Sequence, residues 1–311
     1  MSSSRFESLT DAQWEQIEPL LPSNAGRRGH PFWDNRRVVE GIVYRYRTGI
    51  PWRDLPREPF GPWKTVWKRH RRYAEDGTWD KVLAGLLAQA DAAGQIDWTV
   101  SVDATINRAH QHATNTTRPE RDTGGAGENH TSQPDGFVPS PIGGEREPAG
   151  HGIGKSRGGL TSKIHFAVDG HGRPLAAVIT GGQRNDGVML TEVLADIRVP
   201  RLGPGRARTT PDAVIADRAY TSGVNRQMLA ARHIKAVIPQ KKNEIAARKR
   251  KGSAGGRPPA LDEQTYKQRN VVERSFALIK QWRGLATRYD KLAITYRAAV
   301  VLSACITWAR I

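Results

Sequence analysis

The feature that most constrains this chain is a change of hydrophobic period near residue 98. Before it, apolar residues recur at helical spacing. Thr10 followed three residues later by Gln13 is a capping-box pattern, and Trp14, Ile17 and Leu21 then mark a first helix. Residues 34–47 place Val38, Val39, Ile42, Val43 and Tyr46 on one face and Arg36, Arg37, Arg45 and Arg47 around the rest, and Thr48-Gly49-Ile50-Pro51 stops the helix. A third helix follows the turn at 56–62. Its apolar stripe is Trp63, Val66, Trp67, His70 and Tyr73, while Lys64, Lys68, Arg69, Arg71 and Arg72 project elsewhere. From Trp98 the pattern becomes strand-like. Residues 98–103, 161–168 and 174–180 read as three strands, the last two joined by the turn Asp169-Gly170-His171-Gly172. A helix at 186–197, a strand at 213–216, a helix at 223–232 and a strand at 235–239 follow, and the chain from Tyr266 onward reads as helical.

Three consecutive strands followed by alternating helix and strand is the order of a ribonuclease-H-like α/β fold. The expectation is a mixed-sheet domain over 93–311 behind an all-helical, helix-turn-helix-like domain over 1–92. Residues 113–158 hold 10 Gly and 5 Pro in 46 positions and hardly any large apolar side chains, which predicts a flexible insertion or lid. No run approaches the roughly 20 apolar residues a membrane helix needs. With no charged-then-apolar leader and a single cysteine, Cys305, the expectation is a cytoplasmic, nucleoid-associated protein without disulfides. The charge balance points to the partner. The chain carries 48 Lys and Arg against 31 Asp and Glu, a net +17, the footprint of a polyanion binder. The excess is concentrated at 34–73 and at 235–291, so a basic helix after a turn is expected to meet double-stranded DNA through Lys64, Lys68, Arg69, Arg71 and Arg72.

Three carboxylates are candidates for chemistry. Asp103 is expected at the end of the first strand, Asp217 ends the fourth in AVIADRAY (213–220), and Glu273 lies in YKQRNVVERSFALIK (266–280). Aspartates at the ends of neighbouring strands can share a divalent cation, and a glutamate from a facing helix completes a second site. Carboxylates are hard donors suited to Mg²⁺, with Mn²⁺ as substitute, and two such ions about 4 Å apart can activate an attacking oxygen and stabilise a leaving one. On a continuous helix Tyr266, Arg269, Glu273 and Lys280 fall within about 60° of arc. Val272, Phe276 and Ile279 form an apolar stripe beside them, so the helix is expected to dock with its polar face at the site.

The spacing of Tyr266, Arg269, Glu273 and Lys280 resembles the tyrosine-arginine-glutamate-lysine signature of DDE-class insertion-sequence transposases. TVSVDATIN (99–107), SRGGLTSKIH (156–165), VIADRAY (214–220) and RNVVERSF (269–276) resemble the insertion-sequence-five-like group of that class, as do LTDAQWEQIEPLLP (9–22) and GIPWRDLP (49–56). The resemblance implies a DNA transposase in which Asp103, Asp217 and Glu273 ligate two metal ions and Tyr266, Arg269 and Lys280 hold phosphates at the scissile bond. It also implies hydrolysis freeing a 3′-hydroxyl, attack of that hydroxyl on target DNA, no covalent protein-DNA intermediate, and a dimer or larger assembly on paired ends. The alternatives are a catalytically silent, transposase-derived regulator and a stand-alone metal-dependent nuclease. The acidic triad argues against the regulator, since clustered like charges repel without a metal.

Other residues are assigned more modest parts. Asn107 is expected either to orient the metal site or to form a turn; Asn185-Asp186, after the third strand, are expected either to border the crevice or to serve the next helix, with Asp186 read as its cap, and His165 is read as a sheet residue rather than a ligand. The basic run 241–251 is predicted to be a loop on DNA phosphates. Trp63, Trp67 and Trp79 are assigned to packing, and Cys305 to the core of a C-terminal apolar helix.

Overall fold

The computed structural model of the protein describes residues 9–23, 34–114 and 151–310. Its N-terminal part is helical: α1 (Asp11–Ile17), α2 (Asn35–Thr48), α3 (Arg57–Phe60), α4 (Trp63–Glu75) and α5 (Thr78–Ala92). Local chemistry sets the ends. Gln13 N–H donates to Thr10 Oγ1 at 3.2 Å and Thr10 N–H to Gln13 Oε1 at 3.1 Å, the reciprocal pair that opens α1. Asp34 Oδ1 accepts from the Arg36 and Arg37 amides to open α2. Gly49, left-handed at φ 75°, closes it by donating its N–H to Arg45 O at 2.8 Å.

After α5 come β1 (Thr99–Ala109), α6 (Gln111–Thr114), β2 (Gly154–Ser156), β3 (Gly159–Val168), β4 (Pro174–Gly181), α7 (Leu190–Ala195), β5 (Ala213–Ala216), α8 (Gly223–Ala231), β6 (Lys235–Val237) and α9 (Lys242–Arg250). The C-terminal part adds α10 (Glu263–Lys267), α11 (Asn270–Lys280), α12 (Arg283–Ala286), β7 (Thr287–Arg288) and α13 (Ala293–Trp308). The main strands lie in the order β4-β3-β1-β5-β6. The pairs β1/β3 and β3/β4 are antiparallel, and β1/β5 and β5/β6 are parallel. This is the ribonuclease-H-like arrangement the strand order predicts, with β2 added to β3 and β7 to the end of β1.

Several expectations need correction. β1 does not stop at Asp103 but runs to Ala109, because β3 pairs with it from Ser101 to Arg108. The stretch 266–280 is two helices rather than one, separated at Gln268 and Arg269. The C-terminal region also contains β7. The basic run 241–251 is mostly α9, opened by the Lys241 N–H donating to Glu244 Oε2 at 3.2 Å. Of the predicted insertion at 113–158, residues 113–114 belong to α6 and 154–156 form β2; residues 115–150 lie outside the described residues.

One apolar core runs through the described residues, joining Trp14, Ile42 and Trp79 of the helices to Val102 and Phe166 of the sheet. α13 makes the join, since it packs on α4, α5 and β4 and is buried along nearly its whole length. Two polar side chains carried into this core are paired there. His70, fully buried, accepts the Trp79 indole N–H on Nδ1, which leaves Nε2 as donor to Thr295 O; burial lowers its pKa to about 4. Arg297 on α13 reaches Asp80 of α5 at 2.7 Å, Asp196 at 3.2 Å and Ala177 O of β4 at 3.0 Å. Cys305 is buried and its thiol pKa is pushed well up by burial. No helix among the described residues is long and apolar enough to cross a membrane.

Candidate active site

Register brings the first two carboxylates together. Val102 of β1 pairs with Ala216 of β5, so Asp103 and Asp217, the next residue in each, stand side by side. Phe166 lies opposite Asp103 in β3 and stacks on Phe276 of α11 with ring centroids 5.5 Å apart, which fixes α11 across this part of the sheet. Val271, Val272, Ser275, Phe276 and Ile279 are the buried face of α11, and Glu273 stays exposed. Arg269, just before α11, ties the third carboxylate to the first: its guanidinium donates to Asp103 Oδ2 at 3.2 Å and to Glu273 Oε1 at 2.5 Å. The i,i+4 relation of Arg269 and Glu273 therefore survives the helix break, with Arg269 at its N-terminal boundary.

The electrostatics mark this place as unusual. Asp103 is only 21% exposed at its side chain. Burial raises its pKa from 3.8 to about 6; Asp217 and Asp186 push the same way, while the Ala104 amide and Arg269 oppose. Of the two readings of Asp186, the place beside the crevice is the one that fits. Asp186 caps no helix through its side chain; the amide of Gly187 is taken by Asn185 Oδ1 instead. Asp186 faces Lys163 of β3, whose Nζ lies 2.8 Å from Oδ1, and the same oxygen is 3.9 Å from His165 Nδ1. His165 is fully buried, with Nε2 on Thr180 Oγ1 at 2.9 Å, so it is the packed sheet residue the sequence suggested. Tyr220 completes the surroundings. Its buried hydroxyl has no hydrogen-bond partner, and burial with the nearby Asp186, Asp103 and Asp217 drives its pKa well up. Lys163 and Tyr220 were missed because only long-range pairing brings them to Asp103; the polar Asn185-Asp186 directly after β4 is the hint the sequence does offer.

The donor set suits a hard divalent cation: oxygens from Asp103 and Asp217, with no thiolate near. Mutual repulsion and burial at Asp103 are what a cation would relieve. Among the described residues, however, no three His, Cys, Asp or Glu side chains are gathered closely enough to hold an ion together. Asp103 and Asp217 form the pair, and Glu273 is joined to it through Arg269.

The remaining predicted residues divide. Tyr266 is half-buried near Arg269, and Lys280 is exposed in the last turn of α11. Lys64, Lys68, Arg71 and Arg72 are exposed on α4, with Arg71 on Glu75 at 2.7 Å and Arg72 on Asp76 at 3.8 Å. Arg69 does not join them. It is buried and donates to Asn35 Oδ1 of α2 at 2.6 Å, so it holds two helices together instead of facing a ligand. Asn107 neither forms a turn nor orients the acids: it sits in β1 and donates to Leu285 O and Tyr296 Oη. Trp79 is core and Trp63, half-buried, packs against it as assigned; Trp67 is half-buried outside that core, and both Trp63 and Trp67 line a cavity.

A ribonuclease-H-like sheet with aspartates at neighbouring strands and a glutamate on the covering helix defines the class. Residues 94–308 match the family described as "Transposase DDE domain", and residues 9–83 match "Putative transposase of IS4/5 family". The chain belongs to the DDE transposases of insertion sequences. Among its relatives is a putative transposase for insertion sequence element IS402 from Burkholderia cepacia, 33% identical over 47% of this chain and 61% of that one. A putative transposase for insertion sequence element IS6501 from Brucella ovis is 28% identical over 49% of this chain and the whole of that one. An uncharacterized protein of Sinorhizobium fredii, y4sN, is 40% identical over 34% of this chain and 81% of its own length. A pre-cleavage Mos1 transpososome structure aligns over 91% of this chain and 81% of that one at 11% identity, with a TM-score of 0.24, too low to bear on the argument.

Proposed function

We propose that the protein cuts the ends of an insertion sequence and joins the freed 3′-hydroxyl to target DNA, with Asp103, Asp217 and Glu273 as ligands of two Mg²⁺ or Mn²⁺ ions. The observation that carries this reading is the side-by-side placement of Asp103 and Asp217 with Arg269 linking Asp103 to Glu273. Bound there, divalent metal would supply Lewis-acid activation of the attacking oxygen and neutralisation of the leaving one.

The chain's own residues have definable tasks. Arg269 carries donors that suit a phosphodiester oxygen as well as they suit Asp103 and Glu273. Lys280, exposed on the same helix, adds a second cation, and Tyr266 a neighbouring phenol; together they orient the scissile phosphate, and positioning is the larger part of phosphoryl transfer. Ser101, Tyr220 and Ser275 are buried, which is consistent with direct attack by water or a 3′-hydroxyl and with no covalent protein-DNA intermediate. Lys64, Lys68, Arg71 and Arg72 would meet duplex phosphates, and paired DNA ends would be held by two or more copies of the chain on nucleoid DNA. The division into a DNA-binding part at 1–92 and a catalytic part at 93–311 belongs to the same reading.

The test is cleavage and strand transfer on DNA carrying the element's ends, with Mg²⁺ or Mn²⁺, for wild type and for Asp103→Ala, Asp217→Ala and Glu273→Ala, with DNA binding measured separately. Loss of both reactions with binding retained supports the reading. Wild type that binds but neither cuts nor joins would make the chain a regulator, and cutting without joining would make it a nuclease.

A further inference from the structure

Far along β1 from Asp103, just past the strand's end at Ala109, a cavity of about 780 Å³ opens between the N-terminal helices and the segment that follows β7. That volume lies within the range of about 300–1,000 Å³ typical of sites for small organic groups. Its lining is aromatic to an unusual degree. Trp63 and Trp67 lie one turn apart on α4, so both indoles fall on one helix face. Trp52 stands beside them, and on the other side are His110, His112 and Tyr289, with the His110 ring 4.8 Å from Tyr289 and 4.7 Å from His112.

The charged side chains that line the cavity are cations. Among the described residues no carboxylate lines the cavity, whereas Arg53 and Lys291 do, both exposed. The Arg53 guanidinium is 5.9 Å and the Lys64 ammonium 5.7 Å from the Trp63 ring; Arg71, which is paired with Glu75, lies 5.8 Å from that of Trp67. Arg45, which also reaches the cavity, is already matched by Asp290 at 3.3 Å. The recess therefore continues directly into the exposed basic face of α4.

We propose that this cavity is a binding site for single-stranded DNA, taking an unstacked base between the indole and imidazole or phenol rings while Arg53, Lys64 and Lys291 hold the adjoining phosphates. Aromatic faces interleaved with cations are what unpaired nucleotides require, because each base presents a π-face only when it leaves its stack. Within a paired duplex the bases stay stacked and offer no such face. The net charge of +17 and the absence of lining carboxylates favour a polyanionic chain over an apolar peptide or a neutral metabolite. The site rests on the reading of the protein as a DNA enzyme, but not on its carboxylates.

The experiment compares a blunt duplex, the same duplex with a single-stranded tail, and a single-stranded oligothymidylate by fluorescence anisotropy. Wild type is expected to bind the tailed duplex more tightly than the blunt one. Trp63→Ala and Trp67→Ala should weaken the tailed and single-stranded probes about 5- to 100-fold and leave the blunt duplex within twofold; Trp67→Phe should recover most of the loss. Arg53→Ala, at an exposed position, gives a second variant whose folding is not at stake and should weaken the tailed probe selectively. Equal affinity of wild type for tailed and blunt duplexes overturns the proposal, and so does an equal loss on all three probes in folded variants. Tail preference in a protein that does not cleave DNA would uphold this site and remove the catalytic reading. Cleavage without tail preference would do the reverse.

Discussion

Removing the Arg297 side chain tests whether the N-terminal helices and the sheet are one folding unit. Arg297 is 4% exposed at its side chain and is the cation for both Asp80 of α5 and Asp196, whose side chains are 11% and 13% exposed. Arg297→Met keeps most of the buried volume but leaves two largely buried carboxylates without their partner, a loss of about 3–5 kcal/mol. At roughly 2–4 °C per kcal/mol for a chain of this size, the melting temperature should fall by roughly 6–20 °C. The deficit should also depend on pH. Burial already raises the Asp196 pKa despite Arg297, so without Arg297 the pKa rises further and the native state binds a proton more readily than the unfolded one. The variant's deficit is then full above that raised value and shrinks as pH falls through it. Differential scanning calorimetry between pH 5 and 8 reads both effects, and Asp80→Asn with Asp196→Asn in the Arg297→Met background should recover most of the loss. A shift under about 2 °C that is the same at every pH would refute the reasoning, since the carboxylates would then be hydrated well enough not to need Arg297.

Asp103→Asn should stabilise the protein in chelator at pH 8 and not at pH 4: a folded pKa of about 6 against 3.8 unfolded means that stability from this group is present below 3.8 and lost as pH rises through 6. That shift corresponds to about 3 kcal/mol at most, reduced by the lost ion pair with Arg269. Urea denaturation across that range checks it, and a gain that does not grow with pH refutes it. A Cβ on Gly187 would stand 2.5 Å from Ala219 O, in the turn whose amide holds Asp217 Oδ1 at 2.7 Å. Gly187→Ala should cost about 1–3 kcal/mol and slow cleavage at least tenfold with DNA affinity unchanged, whereas Gly223→Ala, with open space around it, should do neither.

What the sequence discloses and what it hides have physical causes. β4 and β5 are legible because they are nearly continuous apolar runs, β3 because it ends in Phe166-Ala167-Val168 before the turn at 169–172, and Asp217 follows from the end of β5. The far half of β1 is not, since Thr105, Asn107 and Arg108 look like a polar loop until β3 pairs with each of them. α9 hides for the opposite reason: Lys, Arg and Ala propagate a helix well, but no apolar stripe announces it. Arg69 lies off the apolar stripe of α4, so spacing alone puts it with the exposed cations; Asn35, on a different helix, takes it into the interior. Trp63 and Trp67 carry the spacing of core residues, and only the placement of His110 and Tyr289 shows that the space beside them is left unfilled by side chains.

The candidate site can be understood as a way of storing negative charge in a folded protein. Burial makes ionisation expensive at Asp103, which has Asp217 and Asp186 as neighbours and Glu273 joined to it through Arg269, and each compensation visible there is local. Lys163 answers Asp186, Arg269 answers both Asp103 and Glu273, and the Asp103 carboxyl holds its proton up to about pH 6. The same Arg269 that quiets the carboxylates is the residue proposed to grip the scissile phosphate, so the two tasks compete for one guanidinium. In the proposed reaction a phosphodiester that draws Arg269 away frees Glu273 beside the Asp103 and Asp217 pair. Substrate binding and completion of the ligand set are then a single event. Arg269→Lys, which keeps the charge but cannot bridge two carboxylates and a phosphate with a planar fork, should separate them: DNA affinity falls little, while cleavage falls as far as it does in Glu273→Ala.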